Sequence, residues 1–501
     1  MARRNLKTSI YTATGFGLNV FTSDDLNALH FSTLDILYNT GVRVESEEAL
    51  EIFHGGGAQV EKFDGYGLVY LPNYLVEDCI RWAPRTMILH GRTPDQDYVA
   101  ELGRTGFAPS FGECVKIIDP KTRQIRGTTK QDLVNVTRLA DSFEEMVVIE
   151  RAVGSFDQLP ESHTLHNYEA MVNNTGKHCF LGMGNGETTK KIIDMAKVVS
   201  GGAKEFRKRP LVTGFVCPTS PLNLVRSCCE SIITCAREGA GIATIPMALV
   251  GATGAATLAG TLVAANAEAL STIVLAQLVQ KGTPCIYCGC STIMDMRIGT
   301  VSIGAPELGI LSAGIAKLAQ FYKLPSWVGG GGADSKVPDA QSAYEFSLSA
   351  MLAALAGANI SFGAGVIESG LTFDYAKFIM DVEQVRRIMV VLKGIEISDM
   401  TIDLNIINEV GPGGEFISHH STLQGMHKLS QARLFDRQTR DVWLSEHDGR
   451  DLTDRAYEEA LKILDSHKPA PLPDGVADAV REIIENYETE LKVRNKTTKL
   501  S

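Results

Sequence analysis

The chain has 501 residues, 44% hydrophobic and 21% charged, enough for one large barrel or up to three ordinary domains and too apolar for a disordered segment. Its 48 basic against 59 acidic residues give a net charge of −11, with Lys and Arg gathered only in the minor groups Met1–Lys7, Arg207–Arg209 and Lys492–Lys499. That balance argues against nucleic acid and against an anionic membrane surface as partners. No apolar run of signal-peptide length follows the basic start, because Thr, Gly and Asn break Thr8–Val20. Ten cysteines are too sparse for a disulfide scaffold, so a reducing cytoplasm is the expected setting.

In chain order, residues 21–55 and 73–83 read as helical, the first opened by the cap cluster Thr22-Ser23-Asp24-Asp25 ahead of Leu26, Leu29, Leu34 and Leu37. From about Gly106 to Gly370, short apolar runs then alternate with long helical patterns. The runs are Thr105–Gly112, Met146–Asp157, His178–Gly184, Leu211–Pro218, Gly241–Val250, Pro284–Ser291, Leu324–Gly332 and Asn359–Ile367. Between and after them lie helix patterns at Thr129–Ser142, Leu165–Thr175, Leu222–Glu238, Thr257–Gln280, Pro306–Tyr322, Asp339–Ala356 and Phe373–Leu392. Eight strands with little polar alternation require a sheet covered on both faces. The expectation is therefore α/β, a (β/α)₈ TIM-type barrel over 101–394 with a helical N-terminal flank (1–100) and a mostly helical C-terminal extension (395–501). A doubly wound open sheet is the alternative. The C-terminal helices are expected at Asp451–Asp465 and Asp474–Val493, and such flanks suit oligomerisation or partner docking.

One interval mimics a membrane segment, since Glu268 is the only charge between Glu238 and Lys281. Pro246, Gly251, Gly254, Gly260 and Asn266 break it into a buried strand, a turn and a packed helix.

Function in a parallel barrel concentrates at the carboxyl ends of the strands. Five of the eight ends carry a carboxylate here: Glu113, Asp157, Glu187, Asp334 and Glu368. Singly, each is an ordinary helix cap, but together they make an acidic face suited to a cation. Phe107, Phe111, Phe215, Tyr287, Trp327 and Phe362 fall within the strands, and a few converging on carboxylates would cage a quaternary ammonium. The run Gly329–Gly332 forbids bulk and lets something large approach, or is simply a flexible loop. It lacks the Lys-Ser/Thr order of a nucleotide loop. Cys285, Cys288 and Cys290 suggest zinc, but alternation splits them between the two strand faces, and small buried thiols are the plainer account. His163 and His166 before Glu169 lack the metalloprotease order, and His419-His420 either reach the mouth or cap a helix. No metal is expected.

Six segments carry a resemblance to a known family. They are Thr128–Asp132, Asn173–His178, Pro218–Leu222, Gly251–Glu268, Met294–Gly299 with Gly304–Glu307, and Asp334–Lys336 through Gln341 to Glu345. Over about Leu18 to Asn486 the chain resembles the trimethylamine:corrinoid methyltransferases. The family's archaeal founders carry pyrrolysine. This chain holds only standard residues, and the corresponding position is expected between Gly329 and Val337. The family's His-Thr after the glycine turn reads His420-Ser421-Thr422 here. Members without pyrrolysine are similar to demethylases of glycine betaine, proline betaine and carnitine.

The resemblance implies methyl transfer from a quaternary amine, glycine betaine first, to the Co(I) of a corrinoid carried by a cognate protein, with dimethylglycine as the other product. No tightly bound cofactor is expected, and a homo-oligomer is. The roles expected on this reading give Phe111, Phe215, Tyr287 and Phe362 the trimethylammonium group, and Glu113, Asp157, Asp334 and Glu368 the negative potential. Arg297 pairs with the substrate carboxylate, and Gly329, Gly330, Gly331 and Gly332 leave room for the corrinoid ring. The alternatives are a non-catalytic quaternary-amine binding protein and a lyase using Lys336 as a Schiff base.

Overall fold

The computed structural model describes residues 17–110 and 112–498. Its main sheet has eight parallel strands: β1 (Gly106–Pro109), β2 (Ile149–Glu150), β3 (Cys179–Gly182), β4 (Val212–Val216), β5 (Gly241–Thr244), β6 (Cys285–Gly289), β7 (Ser326–Gly329) and β8 (Ile360–Ala364). From β2 onward each pairs with the next in the chain, and β8 returns to β1. The ring closes where Phe107 of β1 bridges Met146, with the Val147 N–H donating to the Phe107 carbonyl at 2.9 Å. Closure removes the two exposed edges that a doubly wound sheet would keep. The strands are shorter than the apolar runs. Pro109, Pro218 and Pro246 lie at or just beyond their carboxyl ends and have no N–H for the ladder.

A helix follows each strand: α1 (Lys130–Asp141), α2 (His163–Val172), α3 (Gly186–Val199), α4 (Arg226–Glu238), α5 (Leu258–Val279), α6 (Pro306–Tyr322), α7 (Ala340–Leu355) and α8 (Tyr375–Lys393). Their starts are written locally. Thr129, Asn185, Thr257, Asp339 and Asp374 each accept a first-turn N–H, and Pro306 occupies the first turn of α6. Helix α5 is long and apolar enough to cross a membrane, but most of it is buried within the fold.

The N-terminal flank carries a sheet as well as helices. The stretch expected to be helical over 21–55 is helix Ser23–Asp35, a wider turn Ile36–Thr40, strand Val42–Val44 and helix Glu47–Gly55. Gly41 makes the break at φ 75°, where an added Cβ would meet the Val69 carbonyl at 2.8 Å. Strand Val42–Val44 pairs with Tyr66–Tyr70 on one side and with Asn223–Leu224, in the loop after β4, on the other. Further along, the hairpin Met87–Leu89/Tyr98–Ala100 plugs the amino-terminal end of the barrel, with Met87 against Gly241 and Tyr98 against Gly106.

Two C-terminal helices clasp the outside. Tyr457 of Leu452–Ser466 donates to Asp374 at the start of α8, and Arg138 of α1 donates to the Leu464 and His467 carbonyls. Helix Val476–Thr498 is held by Arg494–Glu187 at 2.8 Å and by His166–Glu488 at 2.9 Å.

Asn359 joins the plug to the barrel. Its amide donates to the Glu101 and Arg104 carbonyls at 2.6 and 2.9 Å and accepts the Ser326 N–H at 2.9 Å. Asn359→Ala leaves these buried groups unpaired, so the unfolding free energy falls by about 2–4 kcal/mol, read as a lower urea midpoint.

Candidate active site

Only alternate strand residues enter a barrel. Gly214 of β4 lies against Cys235 of α4, which turns Thr213 and Phe215 inward. Parallel register then carries Phe180 inward beside Thr213, and Glu150 inward beside Phe180. Across the barrel, Trp327 sits in register with Cys288. The aromatic rings converge, with Trp327 centred 4.9 Å from both Phe180 and Phe362 and 5.9 Å from Phe215. The Trp327 indole N–H is buried without a partner. With the amino-terminal end plugged, a ligand reaches these rings from the carboxyl end.

The rim is held in shape by unusual backbone. Ser110, Leu222, Glu368 and Ser369 are non-glycine residues at positive φ of 65°, 53°, 53° and 52°, all in loops on the carboxyl side. Glu268 of α5 fixes one of these loops, accepting from the Ser220 hydroxyl at 2.8 Å and the Leu222 N–H at 2.9 Å. The single charge in that long apolar interval is thus a buried loop anchor.

Glu150 and Arg151 are the notable charges. Both are buried, at 3% and 7% exposure, and each has an unpaired buried atom, Oε2 of Glu150 and Nε of Arg151. Burial pushes the Glu150 carboxyl well above the usual range, against the opposing charge of Arg151. The Arg151 guanidinium is 5.6 Å from the Phe215 ring centre, 3.1 Å from Glu113 Oε2 and 3.3 Å from the Gly182 carbonyl. Beside them, Cys217 is accessible, yet enough protein surrounds it that burial pushes its thiol up to about 11.

The predicted site residues divide sharply. Phe215 and Phe362 face the lumen together, while Phe111 lies outside the described residues. Tyr287 does not join them. Alternation turns it outward, where its hydroxyl donates to Asn266 of α5 at 2.7 Å and its ring packs on Tyr322 of α6. Arg297 is 88% exposed at the tip of the hairpin Thr292–Asp295/Thr300–Ser302 and pairs with its neighbour Asp295 at 2.6 Å. A carboxylate bound there would sit in open water, away from the rings.

The four predicted acids are all engaged. Burial opposes ionisation of Glu113, but His163, Arg151 and Asn167 hold its carboxyl below the usual range. Asp157 is exposed and accepts the Lys130 N–H at the start of α1. Asp334 accepts from Ser302, the Ile303 N–H and Ser369, clamping two rim loops together. Glu368 pairs with Thr372 and with Lys116, and both hold it low. Gly330, Gly331 and Gly332 do not leave room for a ring. An added Cβ would meet Ser361, Phe346 and Ile303 at 2.0, 2.7 and 2.7 Å, so these glycines admit the chain's own packing. Gly329 is buried at the end of β7.

The cysteine trio is split as alternation requires: Cys285 contacts Gln277 of α5, while Cys288 and Cys290 lie near Glu150. Among the described residues no cluster of His, Cys, Asp and Glu could hold a metal ion. Sequence reasoning passed over Glu150 and Arg151, although two opposite charges inside the apolar run Met146–Val153 were a legible signal.

Comparison with known proteins places the chain. The family model described as trimethylamine methyltransferase (MTTB) matches residues 4–492. The trimethylamine methyltransferase MttB of Desulfitobacterium hafniense is 46% identical over 491 residues, 98% of each chain. The glycine betaine methyltransferase of the same species, strain Y51, is 32% identical over 91% of this chain and 94% of its own. The monomethylamine methyltransferase MtmB of Methanosarcina barkeri matches in structure with a TM-score of 0.51 at 11% identity, over 94% of this chain and 92% of that one.

The Glu113 hydrogen bond raises the His163 pKa. In Glu113→Gln the His163 imidazole should therefore lose its proton at lower pH than in the parent, as followed by NMR titration.

Proposed function

The chain belongs to the trimethylamine methyltransferase family, and we propose that it moves a methyl group from a quaternary amine, glycine betaine first, to the Co(I) of a corrinoid on a separate cognate protein. Dimethylglycine is the other product. The observation that carries the reading is Arg151, a buried guanidinium with an unpaired N–H beside the Phe215 ring. Cation and aromatic wall together suit a small zwitterion, with carboxylate on the guanidinium and methylammonium against Phe215, Trp327 and Phe362.

The chemistry matches what the side chains supply. A quaternary ammonium leaves as a neutral amine, so in-line attack on its methyl carbon needs no proton donor. The barrel then contributes position and exclusion of water. The corrinoid is a co-substrate here, approaching from the open carboxyl end. Proline betaine and carnitine share the same two recognition features. Trimethylamine is the second reading, favoured by the name of the 46% identical relative, but it has no carboxylate for Arg151 and this chain has no pyrrolysine. The cytoplasm is the compartment of this reading, supported by ten free cysteines. A homo-oligomer also belongs to it, supported by the exposed Ile395, Ile397, Met400, Ile417 and Leu423 after α8.

Mixed anaerobically with glycine betaine and a Co(I) corrinoid, the protein should convert the Co(I) spectrum to that of methylcobalamin and release dimethylglycine. Binding without spectral change identifies a binding protein, and turnover of trimethylamine alone selects the second reading. In Arg151→Gln, kcat/KM for glycine betaine should fall by about 10–100-fold, the worth of one charged hydrogen bond, and far less for choline, which lacks the carboxylate.

A further inference from the structure

The acids that the sequence assigned to a substrate cation are all occupied. Glu113 is held by Arg151, His163 and Asn167, Asp157 caps α1, Asp334 clamps two loops and Glu368 pairs with Lys116. Glu150 is different. Strand register turns it into the lumen beside Phe180, whose ring lies 4.9 Å from Trp327, and its Oε2 is buried with no partner. A buried carboxyl without a partner is costly in either state and far costlier ionised. A cation placed against it removes that cost.

We propose that Glu150 is the counter-ion of the substrate's quaternary nitrogen and that its proton passes to bulk solvent as the cation enters the barrel. The inference rests on the quaternary-amine reading above and assigns the group that recognises the positive end. A quaternary nitrogen has no proton to share, so the neutral acid gains little from it and the carboxylate gains a full ion pair in a dry site.

The surroundings single out Glu150 as the proton source. Four thiols lie near it: Cys114 after β1, Cys217 after β4, and Cys288 and Cys290 of the β6 segment. Burial pushes all four upward, Cys114 to about 12 and Cys217 to about 11, so they stay protonated at neutral pH. The Arg151 guanidinium beside it favours the carboxylate. Glu113 is held low and has already lost its proton.

Isothermal titration calorimetry of glycine betaine into the full chain at pH 7, in phosphate and in Tris, reads the proton directly. The apparent enthalpy should depend on the buffer's ionisation enthalpy with a slope of about one proton released per ligand bound. In Glu150→Gln the slope should vanish and Kd should rise at least about tenfold, the equivalent of one pKa unit. Parent protein that binds betaine with no buffer dependence overturns the assignment while leaving the betaine reading intact, even if the variant does not fold. A slope that survives in Glu150→Gln also overturns it. Parent protein that binds no betaine overturns both.

Discussion

A closed parallel barrel with one end plugged leaves its interior as a dry well, and Glu150 enters that well at the end of its second strand, with Arg151 next to it just past the strand. The rest of the site is arranged around this constraint. The interior around Trp327 is mainly aromatic and thiol-lined, through Phe180, Phe215, Phe362, Cys288 and Cys290, and offers an ion little solvation. Arg151 is tolerated because Glu113 and the Gly182 carbonyl meet two of its nitrogens. Glu150 has no such companion for Oε2, which favours its protonated form. On the proposed reading, a zwitterion supplies both missing partners at once.

The net charge of −11 is distributed differently from what an acidic mouth implies. The strand-end carboxylates mostly serve the scaffold. Asp157 and Asp334 hold backbone N–H groups, Glu368 meets a lysine, and Glu187 reaches Arg494 of the last helix. Such acids fix the βα loops to one another and to the C-terminal clasp. Precision at the mouth follows from this, since Ser110, Leu222, Glu368 and Ser369 keep left-handed backbone only where neighbours over-determine it. The paired acids shape the opening, and the unpaired acid lies beneath it.

The fold was legible because its signals are local and repeated. Eight apolar runs, most of them followed by a helical pattern, state a barrel in one dimension. What escaped was orientation. Tyr287 and Phe215 look alike in a strand, yet one-residue parity sends the first to the helix layer and the second to the lumen. The glycine run suggested an opening because sequence shows that a Cβ is missing and not what fills its place. Here Ser361, Phe346 and Ile303 fill it. Arg297 had the right chemistry in the right loop, but on a hairpin tip that points it into water. Glu150 and Arg151 escaped because the pair straddles the end of a strand shorter than its apolar run.

The same geometry bears on the proposal that a barrel without pyrrolysine serves a quaternary amine. A tertiary amine leaves poorly and calls for an activating group, whereas a quaternary one needs only to be held with a methyl carbon facing the acceptor. With the amino-terminal end plugged by Met87 and Tyr98, the acceptor approaches from the carboxyl end alone. On the proposed reading, a carboxylate on Arg151 near the Phe215 ring would keep the substrate from turning end over end. Glu150 then opposes the nitrogen through charge and leaves the methyl carbon free, since a carboxylate attracts the cation without bonding to any one substituent. On the proposed reading, demethylation leaves a neutral amine, and the ion pair with Glu150 lapses until a proton returns from solvent.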